Sequence, residues 1–126
     1  MKTLIVSAAL SILTVAVPTA AVAQDAAAGK KVFRRCMACH TVDEGGANKV
    51  GPNLWGIFGS TAGSRANGFN YSKALKDSGI VWDDTTLSAY LENPRKAVPK
   101  TRMSFAGLKK AEQRDDVIAY LKSVTQ

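Results

Sequence analysis

The segment from residue 41 to residue 70 limits the possible folds more than any other part of this chain. It contains seven glycines, one proline and four asparagines, spaced so that no run of alternating apolar and polar residues survives. Such spacing is typical of turns and loops and argues against a β-sheet here. A loop of this length is uncommon inside a small domain unless it packs around something other than its own backbone. We therefore expect a large buried group to organise it.

The chain on either side of this segment shows helical patterns. Residues 25–36 predict a helix with Asp25 as its N-cap, since an Asp side chain accepts hydrogen bonds from the free N–H groups of a first turn. Residues 72–78 predict a second, short helix that is capped by Ser72 and stopped by Gly79.

Two further helices are predicted towards the C-terminus. One begins at Asp83 or Asp84 and ends before Pro94, because the residue preceding a proline avoids helical geometry. The other covers about residues 110–123, and its apolar positions form one stripe: Val117, Ile118, Leu121 and Val124. No strand pattern remains, so the predicted fold class is all-α with long loops.

The first 23 residues have the features of a cleaved signal peptide. Lys2 precedes an uncharged apolar run over residues 4–17, and small residues at 21–23 form a cleavage site. A membrane anchor is the less favoured alternative, because a spanning helix needs about 20 apolar residues. We expect export to the periplasm and one domain over residues 24–126.

Residues 36–40 read Cys-Met-Ala-Cys-His, the signature of covalent haem c attachment. Cysteines three residues apart at the end of a helix share a face, so both thiols can reach the two vinyl groups of one porphyrin. His40 follows directly and can give an imidazole nitrogen to the iron. We therefore predict one haem c, bound covalently through Cys36 and Cys39.

Three other interpretations of the cysteine pair are less favoured. A structural disulfide across two residues would close a very small loop and stabilise little. A thiol–disulfide oxidoreductase suits an oxidising compartment, but its site usually follows a strand in a βαβ pattern, which this sequence lacks. A zinc site would need further Cys or His ligands, and the whole chain has two Cys and one His.

The single histidine also restricts the second axial ligand of the iron. Bis-histidine ligation is excluded, which leaves Met, Lys, water or an open position. Met1 is lost with the signal peptide and Met37 is tied inside the attachment loop, so we favour Met103. A thioether favours Fe(II) and raises the reduction potential, and two protein ligands leave the iron only electron transfer. The chain is therefore predicted not to be an enzyme; the alternative is a peroxidase or gas sensor with an open iron.

Short recognisable segments accompany the C-x-x-C-H across residues 24–126: Gly29-x-x-x-Phe33, Gly51-Pro52-Asn53-Leu54, Trp82, Tyr90-Leu91-Glu92-Asn93-Pro94, Pro99-x-Thr101-x-Met103-x-Phe105-Ala106-Gly107 and Tyr120-Leu121-Lys122. With them the sequence resembles the class I cytochromes c, in particular the bacterial cytochrome c2 type and mitochondrial cytochrome c. The resemblance implies the class I cytochrome c fold, in which the first and last helices pack together, here through Gly29, Phe33, Val117 and Tyr120.

The same resemblance implies a function and its partners. We expect a soluble, monomeric carrier of single electrons. Its donor would be a cytochrome bc1-type quinol:cytochrome c reductase. Its acceptor would be a terminal oxidase such as cytochrome c oxidase or, in a phototroph, a photosynthetic reaction centre.

A shell of residues around the haem is also implied by the resemblance. The Pro52 carbonyl would accept a hydrogen bond from the His40 ring and make the imidazole a stronger ligand. Tyr90 and Thr101 would lie around the Met103 sulfur or the inner propionate. Tyr71 and Trp82 would hydrogen-bond a propionate. Phe105 would pack beside the haem edge. The buried aromatic residues could instead belong simply to the core.

Two positions depart from the pattern of this family. The arginine that often follows the G-x-F-G of residues 56–59 is Ser60 here, and Arg65 is a candidate to supply the missing cation to a propionate. Lys100 stands where the family has a glycine, so a strained or shifted turn is expected there.

Basic residues border both predicted ligand segments. The chain has 17 Lys and Arg against 10 Asp and Glu, and export makes genomic nucleic acid an unsuitable partner. The charge therefore indicates acidic protein surfaces or transient contact with a membrane surface, although charge runs are often ordinary solvated faces. Eleven candidate docking residues follow: Lys30, Lys31, Arg34, Arg35, Lys49, Arg95, Lys96, Lys100, Arg102, Lys109 and Lys110.

Overall fold

Five helices make up the regular structure of residues 24–126, the part of the chain that a computed structural model describes. In chain order they are α1 (Ala26–Phe33), α2 (Lys73–Asp77), α3 (Asp84–Glu92), α4 (Pro94–Ala97) and α5 (Ala111–Val124). The one β-type pairing in this range is an isolated bridge between Thr61 and Val81. The all-α prediction is confirmed. The predicted signal peptide lies outside the described residues, among which no helix is long and apolar enough to cross a membrane.

The N-terminal helix begins where the sequence predicts and ends earlier. The Asp25 side chain accepts hydrogen bonds from the N–H groups of Ala27 and Ala28, at 2.8 and 3.1 Å. The predicted end at Cys36 is wrong, because regular helix stops at Phe33. Beyond it the chain tightens into turns, in which the Cys36 N–H donates to the Phe33 carbonyl at 2.8 Å.

The caps of α2 and α3 are those that the sequence predicts, whereas α4 was not expected. Asp83 and Thr86 form a capping box, with each side chain accepting the other residue's N–H at 2.8 and 2.9 Å. Asn93 ends α3 and also caps α4, whose first residue is Pro94. A proline that stops one helix suits the first position of the next, because it has no N–H to satisfy there.

Helices α1 and α5 pack directly against each other through a glycine. A Cβ atom on Gly29 would lie 1.9 Å from the carbonyl oxygen of Asp116, so only glycine allows this approach. The rings of Phe33 and Tyr120 lie 5.4 Å apart across the same contact. The buried Asp116 carboxylate accepts the Asp25 N–H at 2.9 Å and ties α5 to the start of α1. The helix pair that the resemblance implies is therefore present.

The segment after α4 lies against α3. The Leu108 N–H donates to the Leu91 carbonyl at 2.7 Å, and Leu108 and Val98 are almost fully buried. Gly107 has a φ of 107°, and a Cβ there would lie 2.2 Å from the Glu92 carbonyl oxygen, so glycine is required at this crossing. This packing fixes both ends of the segment that carries Met103.

Candidate cofactor site

The two cysteines lie on a single turn that follows α1. The N–H groups of Cys39 and His40 both donate to the Cys36 carbonyl at 3.0 Å, which holds the five-residue signature in a compact loop. Both thiols are free and half-buried. Burial raises the pKa of the Cys36 thiol, an effect that the nearby Arg35 charge opposes and Cys39 adds to. The protonated form of the Cys36 thiol is thus favoured.

The imidazole of His40 is fixed by a backbone acceptor. Its Nδ1 lies 2.8 Å from the Pro52 carbonyl oxygen, and because a carbonyl can only accept, Nδ1 carries the proton. Nε2 therefore keeps its lone pair. Gly51 lets the backbone approach the imidazole ring closely, since a Cβ there would be 2.4 Å from His40 Cε1. Burial lowers the pKa of His40, with the Pro52 hydrogen bond opposing it, so the neutral, metal-binding imidazole is favoured.

The Met103 segment is joined to α3 through two hydroxyl groups. The Thr101 Oγ1 lies 2.7 Å from the Tyr90 hydroxyl and accepts the Met103 N–H at 3.3 Å. Tyr90 is buried with its ring 5.2 Å from that of Trp82. Burial raises the pKa of Tyr90, while the hydrogen bond with Thr101 acts in the opposite direction, so the hydroxyl stays neutral. Met103 itself is half-buried against the core.

A contact that the sequence did not predict connects the attachment turn with the methionine segment. The Arg35 guanidinium lies 5.4 Å from the centre of the Phe105 ring. Arg35 directly precedes Cys36, and Phe105 follows Met103 by two positions. The two segments that are predicted to carry the haem ligands, far apart in sequence, therefore meet at this cation–π contact.

Asparagine side chains hold the long loop in place of secondary structure. The buried Asn53 amide donates to Thr41 Oγ1 and to the Asp43 carbonyl, both at 2.8 Å, and its carbonyl accepts the Trp55 N–H at 3.0 Å. Asn48 in turn accepts the Asn53 N–H at 2.8 Å. From the sequence these asparagines were predicted only as turn formers, and their number was the one available sign of this network.

Of the two residues implied to bind propionates, Tyr71 is hydrogen-bonded to this asparagine network. The Tyr71 hydroxyl accepts a hydrogen bond from the Asn67 amide at 2.9 Å, which leaves its own proton to donate. Trp82 is buried, with its ring 5.2 Å from that of Tyr90. Arg65 donates from Nη1 to the Asn53 carbonyl at 2.7 Å and from Nη2 to the Trp55 carbonyl.

The two departures from the family pattern have clear structural outcomes. The Ser60 hydroxyl donates to the Ile57 carbonyl at 2.6 Å, within its own turn. Lys100 has a φ of 66°, in the left-handed region that favours glycine, and the Thr101 N–H closes its turn on the Val98 carbonyl at 3.0 Å. The expected strained turn is therefore present at Lys100.

All eleven candidate docking residues are exposed. The two ion pairs in the described part of the chain, Lys73 with Asp77 and Lys122 with Asp84, include none of them. The Lys49 ammonium donates to the main-chain carbonyl of Met37 at 2.9 Å, and the Lys109 ammonium donates to that of Glu92 at 2.8 Å. Within residues 24–126, the positive charges of the eleven docking residues are thus not neutralised by a salt bridge.

The sequence model of the cytochrome c family matches residues 26–125. This chain belongs to the cytochrome c family. It is 57% identical over 100 residues to cytochrome c2 of Afifella marina, covering 77% of this chain and 80% of that protein. It is 51% identical over 104 residues to cytochrome c of Chlamydomonas reinhardtii, covering 82% and 92%. Cytochrome cH from Methylobacterium extorquens has a similar solved structure, with a TM-score of 0.74 at 47% identity, covering 79% of this chain and 98% of that chain.

Members of the cytochrome c family are electron carriers with covalent haem c, and the residues of this chain fit that group. Cys36 and Cys39 stand at the spacing that thioether attachment requires. His40 has a free Nε2, and the Gly51 backbone lies so close to its ring that any side chain would clash. The donor set of two thiols and one oriented, neutral imidazole is the one that haem c attachment needs.

Proposed function

We propose that this chain is a soluble, monomeric carrier of single electrons in the periplasm, with a signal peptide over residues 1–23. Its haem c is attached through Cys36 and Cys39 and has His40 and Met103 as axial ligands. When bound, the haem supplies reversible one-electron Fe(III)/Fe(II) chemistry. The observation that carries this proposal is the Arg35–Phe105 contact, because it supports a position for the Met103 segment beside the attachment turn.

The side chains of the site hold the ligands and exclude other chemistry. The Pro52 carbonyl fixes the ring orientation of His40 and increases its basicity. Thr101 and the Tyr90 hydroxyl hold the backbone at Met103, which supports a sulfur placed for the second axial position. If His40 and Met103 both held the iron, no position would be left for O₂ or peroxide, which supports a carrier rather than a peroxidase or gas sensor.

The charge distribution supports an acidic redox partner. The eleven exposed basic residues flank the segments that carry the haem ligands, and they form no salt bridges within residues 24–126. Such a surface attracts acidic partners at long range and releases them quickly, as a mobile carrier requires. We infer a cytochrome bc1-type quinol:cytochrome c reductase as donor and a terminal oxidase or photosynthetic reaction centre as acceptor.

Spectra of the matured protein test the ligand assignment. We expect a low-spin haem with a methionine-ligated spectrum, and no rapid CO binding to the reduced form. Met103→Ala should lower the reduction potential and allow CO to bind. Met37→Leu is the matched control, because Met37 is 52% exposed in the attachment loop and should change neither property. An unchanged potential in Met103→Ala would show that Met103 is not a ligand.

Kinetics with a purified partner test the docking surface. Second-order electron transfer to an oxidase or reaction centre should slow as ionic strength rises, since steering contributes about 10 to 10³-fold to association rates. Arg102→Glu should slow the reaction more than Lys76→Glu, which makes the same charge change at an exposed residue of α2. Equal slowing in both variants, or no dependence on salt, would contradict the docking surface.

A further inference from the structure

The segment that carries Met103 is held by hydrogen bonds at its two ends. At its start, the Thr101 N–H donates to the Val98 carbonyl at 3.0 Å, and the Thr101 hydroxyl lies 2.7 Å from that of Tyr90. At its end, the Leu108 N–H donates to the Leu91 carbonyl at 2.7 Å. Residues 102–107 therefore span the distance between two fixed points.

Between these points the backbone makes only local hydrogen bonds in the described part of the chain. The Met103 N–H donates to the Thr101 hydroxyl at 3.3 Å, and the Phe105 N–H donates to the Met103 carbonyl at 3.0 Å. Two arginines connect the stretch with other segments: Arg102 donates to a carbonyl at the end of the long loop, and Arg35 lies against the Phe105 ring. A segment with so few long-range hydrogen bonds opens at a low cost in free energy.

Arg35 is a suitable fixed point for the Phe105 ring. Its N–H donates to the Val32 carbonyl at 3.1 Å in the turn after α1, and the next residue is the haem-binding Cys36. The guanidinium lies 5.4 Å from the centre of the ring, within the range of a cation–π interaction. The two ion pairs within residues 24–126 do not include Arg35, so no carboxylate of this range competes for its charge.

A displacement of Met103 also displaces Phe105. The Met103 side chain is packed against the core, so we expect it to leave its proposed axial position together with its backbone. Phe105 follows by two residues and is hydrogen-bonded to the Met103 carbonyl, so its ring is withdrawn from Arg35 in the same movement. The cation–π contact therefore favours the closed arrangement of this segment over the open one.

We propose that Arg35 is a latch on the Met103 segment: its guanidinium holds the Phe105 ring against the attachment turn and thereby keeps Met103 in the second axial position. This inference rests on the proposed ligation by His40 and Met103. Arg35 is a positioning residue, since it acts on Met103 through Phe105. The role is separate from docking, in which the same charge would face a partner protein.

Imidazole binding to the oxidised holoprotein tests the latch, because imidazole can take the second axial position only when Met103 has left it. In Arg35→Gln the affinity for imidazole should rise about 2- to 5-fold, the equivalent of an exposed cation–π contact of about 0.5–1 kcal/mol. Arg34→Gln is the matched control. It removes the same charge from the neighbouring exposed residue, which takes part in neither cation–π contact of residues 24–126, and its affinity should equal that of the wild type.

A double-mutant cycle separates the contact from a general effect of packing. Phe105→Leu removes the aromatic face and should raise the imidazole affinity by at least as much as Arg35→Gln. Adding Arg35→Gln to Phe105→Leu should then change the affinity by less than about 1.5-fold, because the contact is already lost. Phe105→Tyr keeps an aromatic face and should bind imidazole like the wild type. If Arg35→Gln does not mature with haem, the difference between Phe105→Leu and Phe105→Tyr decides the question.

Amide hydrogen exchange of the holoprotein gives a readout that needs no added ligand. The Phe105 amide should exchange about 2 to 5 times faster in Arg35→Gln than in the wild type, since its hydrogen bond lies in the segment that opens. The Leu108 amide, which is bonded to Leu91 beyond that segment, should exchange at an unchanged rate.

The outcomes are distinguishable from a failure of the proposed function. Equal imidazole affinities in Arg35→Gln and the wild type, with a methionine-ligated spectrum intact, would overturn the latch alone. Equal increases in Arg35→Gln and Arg34→Gln would also overturn it, because they would show a general effect of charge. So would fully additive effects of Arg35→Gln and Phe105→Leu. Absence of a methionine-ligated spectrum in the wild-type protein would instead contradict the axial ligands.

Discussion

The α1–α5 pair and the loop over residues 41–71 are stabilised in different ways. The helices satisfy their own backbone groups and meet through Gly29 and a small aromatic and aliphatic contact. The loop contains no helix or strand, and several of its backbone groups are paired with the side chains of Asn48, Asn53 and Arg65. The helix pair is therefore held by contacts within the polypeptide, whereas the loop depends on a few specific polar residues and, we propose, on the haem that it packs around.

The largest expected effect comes from preventing haem attachment. Cys36→Ala or Cys39→Ala should yield no stable holoprotein, and the apo-protein should be largely unfolded, because the haem supplies much of the core that the loop packs around. Circular dichroism and amide hydrogen exchange measure this. Any protection that remains should lie in α1 and α5. Native-like protection of residues 41–71 without haem would contradict the proposed dependence of the loop on the haem.

The helix pair itself should be most sensitive at Gly29. In Gly29→Ala the new methyl would meet the Asp116 carbonyl at 1.9 Å, so the helices must separate. We expect a loss of about 3 kcal/mol or more in the free energy of unfolding, at the upper end of overpacking effects. Denaturant unfolding of the holoprotein measures it.

Gly45→Ala is the control for the glycine substitution. Gly45 has a φ of 68° but open space around it, so the cost is backbone strain alone, about 1 kcal/mol. If the two variants lose the same stability, the close approach of α1 and α5 is not the cause.

The loop should be most sensitive at Asn53. Replacing it by Ala removes the partners of the Trp55 N–H and the Asp43 carbonyl. At about 1–3 kcal/mol for each of these two groups left unsatisfied, we expect a loss of about 2–6 kcal/mol in the free energy of unfolding. Asn70→Ala is the matched control, since Asn70 is exposed and should change stability by less than about 0.5 kcal/mol.

The difference between the two regions also explains what the sequence could predict. Helix starts at Asp25, Ser72 and Asp83 follow from local capping chemistry, and the structure has all three. The existence of α4 was missed although its signal is local, since Asn93 before Pro94 is an N-cap with proline at the first helical position, whereas the end of α1 at Phe33 has no stop signal in the sequence. Boundaries that tertiary contacts decide leave little trace in a local pattern.

The predictions for the candidate site divide in the same way, because its local features could be predicted and its long-range contacts could not. Cysteine spacing and the single histidine were sufficient to predict the attachment turn, because that chemistry is local. The Arg35–Phe105 contact and the position of Arg65 join segments distant in sequence, so neither could be derived from spacing. For Tyr71 and Trp82 the resemblance named a role that the residues alone did not distinguish from core packing.

The smallest expected effect is on the pH dependence of stability at the start of α3. The N–H and hydroxyl groups of Thr86 lower the pKa of Asp83 below its usual 3.8 in the folded protein. A carboxylate whose pKa is lower when folded stabilises the protein at neutral pH, and this stabilisation is lost as pH falls below about 4. Asp83→Asn keeps a capping side chain but cannot titrate. The difference in melting temperature between wild type and Asp83→Asn should therefore be constant from about pH 5 to 7 and change sharply below about pH 4. A difference that stays constant over the whole pH range would show that this cap does not depend on charge.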